Sequence, residues 1–207
     1  MRPAWVAVHR WLTVAALLIV TGGCEKGVDP SIALDNAGSP AVTTWLHYGR
    51  DEGGSRFSPL EAITPGNVKQ LRKAWEYRTG DLDPARFEGS FSTRGMQATP
   101  ILAQDTLYFC SALNKVIALD PATGKEKWSH SANPDLDGVF SIKCRGVSYH
   151  MDTASKSEDS CSARILAGTI DGRLLALDAN TGQLCPQFGN AGEVDLTADF
   201  GKVDGGD

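Results

Sequence analysis

The sequence predicts an all-β fold, made of antiparallel four-stranded units that form part of a β-propeller. Short apolar runs with a period of two, each bounded by turn residues, are typical of strands. The segment ALDPATGKEKW, residues 118–128, returns 58 residues later as ALDANTGQLCP, residues 176–186. Repeated units of about 40–50 residues with four strands are typical of propeller blades. A solenoid or a sandwich is the alternative, but the regular count of four strands favours the propeller.

The first 23 residues are predicted to be a signal peptide. Arg2 and Arg10 stand at the start of an apolar run, residues 11–20, which is too short to cross a bilayer as a helix. The small residues before Cys24 resemble the cleavage box of bacterial lipoproteins, in which this cysteine carries the lipid. Thr21 departs from that pattern, so ordinary secretion with cleavage nearby is the alternative.

Residues 24–44 are interpreted as the lipid anchor and a flexible tether, because they mix Gly, Pro, Ser and Asp without apolar periodicity. The resemblance to lipoproteins implies a location on the periplasmic side of a bacterial membrane, and Glu25 beside Cys24 favours the outer membrane. Residues 45–207 are interpreted as the folded part.

The order of elements in the folded part begins with one short helix. Thr64 is the predicted N-cap, Pro65 the first helical residue, and Val68 and Leu71 share one face. The runs TLYFC, KVIALD, RILAGT and RLLALD follow as predicted strands. The pair Asp171-Gly172 predicts a tight hairpin between the last two, since glycine tolerates a positive φ.

The repeated segment predicts its own turn chemistry. In each copy an aspartate, Asp120 or Asp178, accepts hydrogen bonds from turn amides, and a glycine, Gly124 or Gly182, supplies the left-handed residue. The first copy ends in Trp128, whereas the second has a proline at the equivalent position. The contact made by the second copy is therefore expected to be weaker, or to be made by Phe188.

The overall charge argues against a nucleic-acid partner. The net charge is −5, and loss of the signal peptide would remove two arginines. No basic stripe with interleaved aromatic residues offsets this charge.

An exported chain would oxidise its cysteines, so disulfide bonds are expected. Four cysteines follow the tether: Cys110, Cys144, Cys161 and Cys185. Three pairings are possible, and we favour Cys144 with Cys161 because these two bracket one proposed hairpin.

The segment from Ala118 to Trp128 resembles the tryptophan-docking motif of quinoprotein dehydrogenases. These are eight-bladed propellers that use pyrroloquinoline quinone (PQQ), and their docking tryptophan packs on the next blade. In this sequence the motif has Ala118, Asp120, Thr123, Gly124 and Trp128. Outside the motif, WLHYGRDEGGSRFSPLEAITPGNVKQLRKAWEYRTGD, MQATPILAQDTLYFCSALNKVIALDPATGKEKW and CRGVSYH resemble the membrane-associated glucose dehydrogenase branch.

The resemblance implies two cofactor-binding residues. Arg145, in CRGVSYH, matches an arginine that binds a cofactor carboxylate, and a planar guanidinium suits that group. Gln97, in MQATP, falls where relatives place a polar or acidic residue against the quinone. A structural role is favoured for Tyr149 and His150.

The resemblance also places the catalytic base and the calcium ligands outside this chain, so no catalytic or metal-binding residue is assigned here. Asp81 and Asp83 could suggest calcium, but the twelve-residue calcium loop is absent, and we interpret them as turn caps. The chain is expected to be the first two blades of a longer protein, inactive by itself.

The resemblance thus implies a membrane-anchored dehydrogenase that oxidises glucose or a related sugar or polyol and passes electrons to ubiquinone. Quinate, shikimate or an alcohol are alternative substrates. The competing hypothesis is a propeller lipoprotein without catalysis that binds other proteins, in which the docking motif is purely structural.

Overall fold

A computed structural model describes residues 44–81, 95–139, 141–156 and 158–198. The predicted signal peptide, the lipid-anchor residue Cys24, nearly all of the tether, and Asp83 lie outside the described residues. Among the described residues no helix is long and apolar enough to cross a membrane.

Two antiparallel four-stranded sheets make up the described fold. The first, called the first blade, has the order β1 (Ile101–Ala103), β2 (Thr106–Cys110), β3 (Lys115–Leu119) and β4 (Glu126–Ser131). The second blade has the order β5 (Ser148–Met151), β6 (Ala163–Gly168), β7 (Arg173–Asp178) and β8 (Glu193–Asp195). The predicted all-β propeller architecture is confirmed.

The main core lies between the two blades. Alternate residues of β2 and β3, among them Tyr108 and Val116, face alternate residues of β6 and β7, among them Ile165 and Leu177, and all four are almost fully buried. Because side chains alternate across a strand, the other face of the second blade carries Leu166 and Ala176. The innermost strands β1 and β5 also contact each other.

Trp128 joins the blades as the docking motif predicts. Its indole Nε1 donates a hydrogen bond to the Ala179 carbonyl at 3.0 Å. Its ring lies over Gly182, where an added Cβ would come within 2.5 Å of the ring. Gly182 has a positive φ of 72°, which the turn requires. It also has a second role, because its lack of a side chain makes room for the indole.

Trp75 makes the same contact with the first blade, which the sequence analysis missed. Its Nε1 donates to the Pro121 carbonyl at 3.0 Å, and its ring covers Gly124. Pro121 and Gly124 stand at the same positions of the repeat as Ala179 and Gly182. Tyr77 follows on the same side and packs edge-on against Phe109, with ring centroids 6.1 Å apart. Each described blade thus receives one tryptophan from the chain that precedes it.

The two turns of the repeat are built alike, but the second is tied more tightly. Asp120 accepts bonds from the amides of Ala122 and Thr123 and from the Thr123 hydroxyl. Asp178 accepts the equivalent three bonds and a fourth, from the Cys161 amide at 2.6 Å. Asp178 is 4% exposed. Burial alone raises the pKa of Asp178, but these hydrogen bonds outweigh it and hold the pKa below its ordinary value.

Asp178→Asn should destabilise the protein by about 2 kcal/mol at pH 7, because an amide accepts fewer bonds than a carboxylate and presents its own donors to buried amides. Since the folded pKa is depressed, this contribution is present above the unfolded pKa of about 3.9 and is lost as the pH falls through the folded value. The wild-type advantage in urea unfolding should therefore shrink below about pH 4.

Asp120→Asn is the matched control, because it alters the equivalent turn of the first blade, in which the aspartate accepts no bond from outside the turn. Its effect on the urea midpoint should be clearly smaller. Equal effects of the two substitutions would show that the fourth hydrogen bond contributes nothing.

The short helix differs from the prediction. It is a single 3₁₀ turn, Val68–Gln70, whose N-cap is Asn67 instead of Thr64. The Asn67 side chain bonds the Thr64 amide and the Ala62 carbonyl, at 2.7 and 2.8 Å, and so fixes a turn where helix was expected. Val68 is 45% exposed, so no buried apolar face extends the helix.

The favoured disulfide pairing was wrong. Cys110 bonds Cys144, and Cys161 bonds Cys185, with Cα separations of 5.9 and 5.8 Å. Cys144 is buried in the core between the blades, whereas Cys161 is buried on the opposite face of the second blade. The sheet of the second blade therefore lies between Cys144 and Cys161, which were predicted to pair.

Phe188 packs within its own blade, in one apolar cluster with Ala176 and the Cys161–Cys185 bond. It covers the outer face of the second blade and does not reproduce the bond that Trp128 makes to a neighbouring turn. The proline at position 186 thus ends the match between the two copies of the repeat.

Candidate functional site

An open pocket brings together both residues that the resemblance assigned to the cofactor. It has a volume of about 560 Å³, which is within the range of small-molecule sites. It lies where the chain enters the innermost strands of the two blades. Its lining comprises Tyr48, Gln97, Arg145, Gly146, Val147, Ser148, Leu166, Gly168 and Leu174.

Arg145 reaches this pocket from an extended segment that precedes β5. Ile142 and Cys144 are buried, while Arg145 is exposed, so alternate side chains point inward and outward. The Thr99 amide donates to the Arg145 carbonyl at 3.2 Å and ties this segment to the residues before β1. The backbone at Arg145 is therefore held while its side chain remains free to meet a ligand.

No described residue forms an ion pair or a side-chain hydrogen bond with Arg145. Arg173 is its contrast, because its guanidinium binds Asp171 at 2.9 Å, Glu193 at 3.2 Å and the Ala132 carbonyl at 2.8 Å. An unpartnered guanidinium on a concave surface offers its full set of donors to an anionic ligand.

Gln97 lines the same pocket and lies four residues before β1. Its side chain is exposed and forms no hydrogen bond with a described residue. An amide can donate and accept at once, so it suits a ligand edge that carries both carbonyl and carboxylate oxygens.

The remaining wall is apolar and comes from the second blade. Leu166 and Leu174 lie on the face that points away from the first blade, beside Gly168, whose missing side chain leaves open space. In a propeller the two faces of a blade pack on its two neighbours, so this apolar face is one that a further blade would cover. The exposed guanidinium of Arg145 and the amide of Gln97 fit the carboxylate and carbonyl oxygens of PQQ.

Tyr48 also lines the pocket, and the sequence analysis did not assign it a role. It lies in a tight turn in which the Arg50 amide donates to the His47 carbonyl at 2.9 Å. The Arg56 guanidinium lies 5.1 Å from the centroid of the Tyr48 ring. The turn is held to the first blade by two hydrogen bonds between the backbones of Trp45 and Leu102, a long-range pairing that no local motif signals.

The other residues considered from sequence lie away from the pocket. His150 is exposed in β5 opposite Arg164, and Tyr149 packs in the core between the blades. Asp81 is 2% exposed and accepts a bond from the Leu113 amide at 2.9 Å, so it caps the turn between β2 and β3. Among the described residues, no group of three or more His, Cys, Asp or Glu could hold a metal ion.

Comparison with known families gives a match over the whole of the predicted folded part. The family described as "PQQ: Glucose/ethanol/alcohol dehydrogenase, beta-propeller domain" matches residues 45–207. This range includes both blades, the docking motif and every residue of the pocket.

Individual relatives agree with the family match. The chain is 40% identical over 189 residues to the glycerol dehydrogenase large subunit of Gluconobacter oxydans, covering 91% of this chain and 25% of the relative. It is 41% identical over 208 residues to the quinoprotein glucose dehydrogenase of Escherichia coli, covering 90% and 26%.

A solved structure extends the likeness to three dimensions. The quinohemoprotein alcohol dehydrogenase of Pseudomonas putida HK5 aligns with a TM-score of 0.59 and 32% identity, covering 76% of this chain and 19% of that one. The chain spans about a quarter of the length of the curated relatives described above. Its matched residues, its paired four-stranded blades and its tryptophan docking place the chain in the quinoprotein dehydrogenase family, within the β-propeller domain of that family.

Proposed function

We propose that the full-length protein is a PQQ-dependent dehydrogenase that oxidises glucose or a related sugar or polyol. The observation that carries the proposal is the pocket that Gln97 lines together with Arg145, whose side chain has no partner among the described residues. Relatives named for glucose and for glycerol oxidation support a polyhydroxylated substrate.

Bound PQQ would supply the redox chemistry by accepting two electrons as a hydride, while the hydroxyl proton would go to a base outside this chain. Arg145 would pair with one of its carboxylates, and a bidentate pair would fix the orientation of the ring in its plane. Gln97 would hydrogen-bond the polar edge of the quinone. The proposal includes calcium as a second cofactor, with its ligands supplied by residues outside this chain.

We further propose that the protein works on the periplasmic side of a bacterial membrane, anchored by lipid at Cys24, and that ubiquinone accepts the electrons. The sequence pattern of residues 1–24 supports the anchor. Export also agrees with the two disulfide bonds, which form readily in an oxidising compartment.

Replacing Arg145 tests the proposal. Arg145→Ala in the full-length protein should weaken PQQ binding roughly 10- to 100-fold, because one charge-assisted interaction is worth about 1.5–3 kcal/mol. Isothermal titration calorimetry in the presence of calcium gives the dissociation constant.

Lys143→Ala is the matched control. It removes a positive charge from the same segment without altering a residue that lines the pocket, so PQQ affinity should stay within about twofold of wild type. An unchanged affinity in Arg145→Ala would show that the assigned role is wrong. Absence of PQQ binding to the wild-type full-length protein, together with no dye-linked glucose oxidation, would favour the propeller without catalysis.

A further inference from the structure

The Cys110–Cys144 disulfide bond lies directly behind Arg145. Cys110 is the last residue of β2, and Cys144 immediately precedes Arg145 in the chain. Both cysteines are buried, with exposures of 1% and 6%, in the core between the blades. The bond therefore fastens the first blade to the backbone that presents the guanidinium.

This fastening matters because few other contacts hold the segment. The described residues between Ser141 and Val147 form no strand pairing, and β5 begins at Ser148. Apart from the disulfide bond, the Thr99 amide supplies the one backbone hydrogen bond that the described residues make to this segment. Burial of Ile142 and Val147 adds apolar contacts but no further backbone hydrogen bond.

We propose that Cys110 and Cys144 are positioning residues for the anion-binding guanidinium of Arg145, an inference that rests on the proposed function. A guanidinium on a loosely held segment must lose backbone and side-chain freedom when it binds an anion, and that loss lowers affinity. The covalent bond removes most of the backbone part before binding. A rigid support of this kind is what a precise binding site requires.

The second disulfide bond supplies a matched comparison. Cys161 and Cys185 join the loop before β6 to the residues after β7, on the face of the second blade that points away from the first. Neither cysteine lines the pocket, and neither do their neighbours in sequence. Its loss should lower the stability of the fold without moving Arg145.

The test compares two variants of the full-length protein by PQQ titration with calcium. Cys110→Ala/Cys144→Ala should weaken binding on the order of tenfold, the effect of ordering about one additional residue. Cys161→Ala/Cys185→Ala should stay within about twofold, although both variants should melt at lower temperature. Alanine keeps both positions apolar. If the first variant does not fold, Cys110→Val/Cys144→Ala replaces it, because valine fills more of the space of the sulfur atoms. The same loss of PQQ affinity is expected of this variant.

A double-mutant cycle with Arg145→Ala separates positioning from general destabilisation. In the Arg145→Ala background, loss of the Cys110–Cys144 bond should have no further effect on PQQ affinity. Equal losses from the two disulfide variants, or an undiminished loss in the Arg145→Ala background, would overturn the inference. If Arg145→Ala weakens binding but the Cys110 variant does not, the positioning role fails and the proposed function stands.

Discussion

Trp128→Ala should destabilise the full-length protein by about 3 kcal/mol, which is within the range for removing a packed aromatic side chain. The substitution removes the ring that covers Gly182 and the hydrogen bond to the Ala179 carbonyl. It also removes the contact with the Tyr108 ring, whose centroid lies 5.9 Å away. Since Ala179 and Gly182 belong to the second blade, loss of the indole weakens the interface between the blades. Urea unfolding, followed by far-UV circular dichroism, measures the change.

Trp128→Phe is the control for ring packing. It retains most of the apolar contact but loses the donor, so it should cost clearly less than Trp128→Ala. If Trp128→Ala leaves the urea midpoint unchanged, the indole does not join the blades.

Gly182→Ala should destabilise by about 3 kcal/mol for two reasons that add. Its φ of 72° is a conformation that costs an L-residue about 1–2 kcal/mol. The added Cβ would also come within 2.5 Å of the Trp128 ring, so the ring would have to move away from the turn. Thermal and urea unfolding of the full-length protein measure the loss.

Gly138→Ala isolates the contribution of the backbone. Gly138 has a φ of 71°, almost the same as Gly182, but an added Cβ there meets no atom within 4 Å. It should cost only the conformational part, about 1 kcal/mol. Equal losses of stability in the two variants would mean that Gly182 is required only for its backbone conformation and not to make room for the indole.

The sequence predicted the parts of this fold that depend on local patterns. The period-two runs became β2, β3, β6 and β7, and the pair Asp171-Gly172 forms the turn between the last two. The 58-residue repeat identified the common geometry of the Asp120 and Asp178 turns. In each case the information lies within a few adjacent residues, where hydrogen-bonding capacity and alternation suffice.

Contacts between distant segments were harder to predict. Spacing could not pair the cysteines, because the pairing depends on which face of a sheet each sulfur occupies. The repeated turn segment precedes Trp128 but not Trp75, so the sequence does not show that the two tryptophans are equivalent. Their equivalence is visible only in the structure, where each ring covers a turn glycine. Tyr48 reaches the pocket through the pairing of Trp45 with Leu102, which lies far along the chain.

For the candidate site, the family resemblance supplied Arg145 and Gln97, and the structure places them in one pocket. Composition and spacing alone would not have selected them, since an exposed arginine and an exposed glutamine are ordinary surface residues. Only the structure shows that no described residue pairs with the Arg145 side chain.

A structure of the full-length protein with PQQ and calcium is the most direct test of the account. We expect the Arg145 guanidinium to lie about 2.7–2.9 Å from a carboxylate oxygen of the quinone, the distance of a charge-assisted hydrogen bond. A quinone bound elsewhere, with Arg145 directed into solvent, would contradict the account.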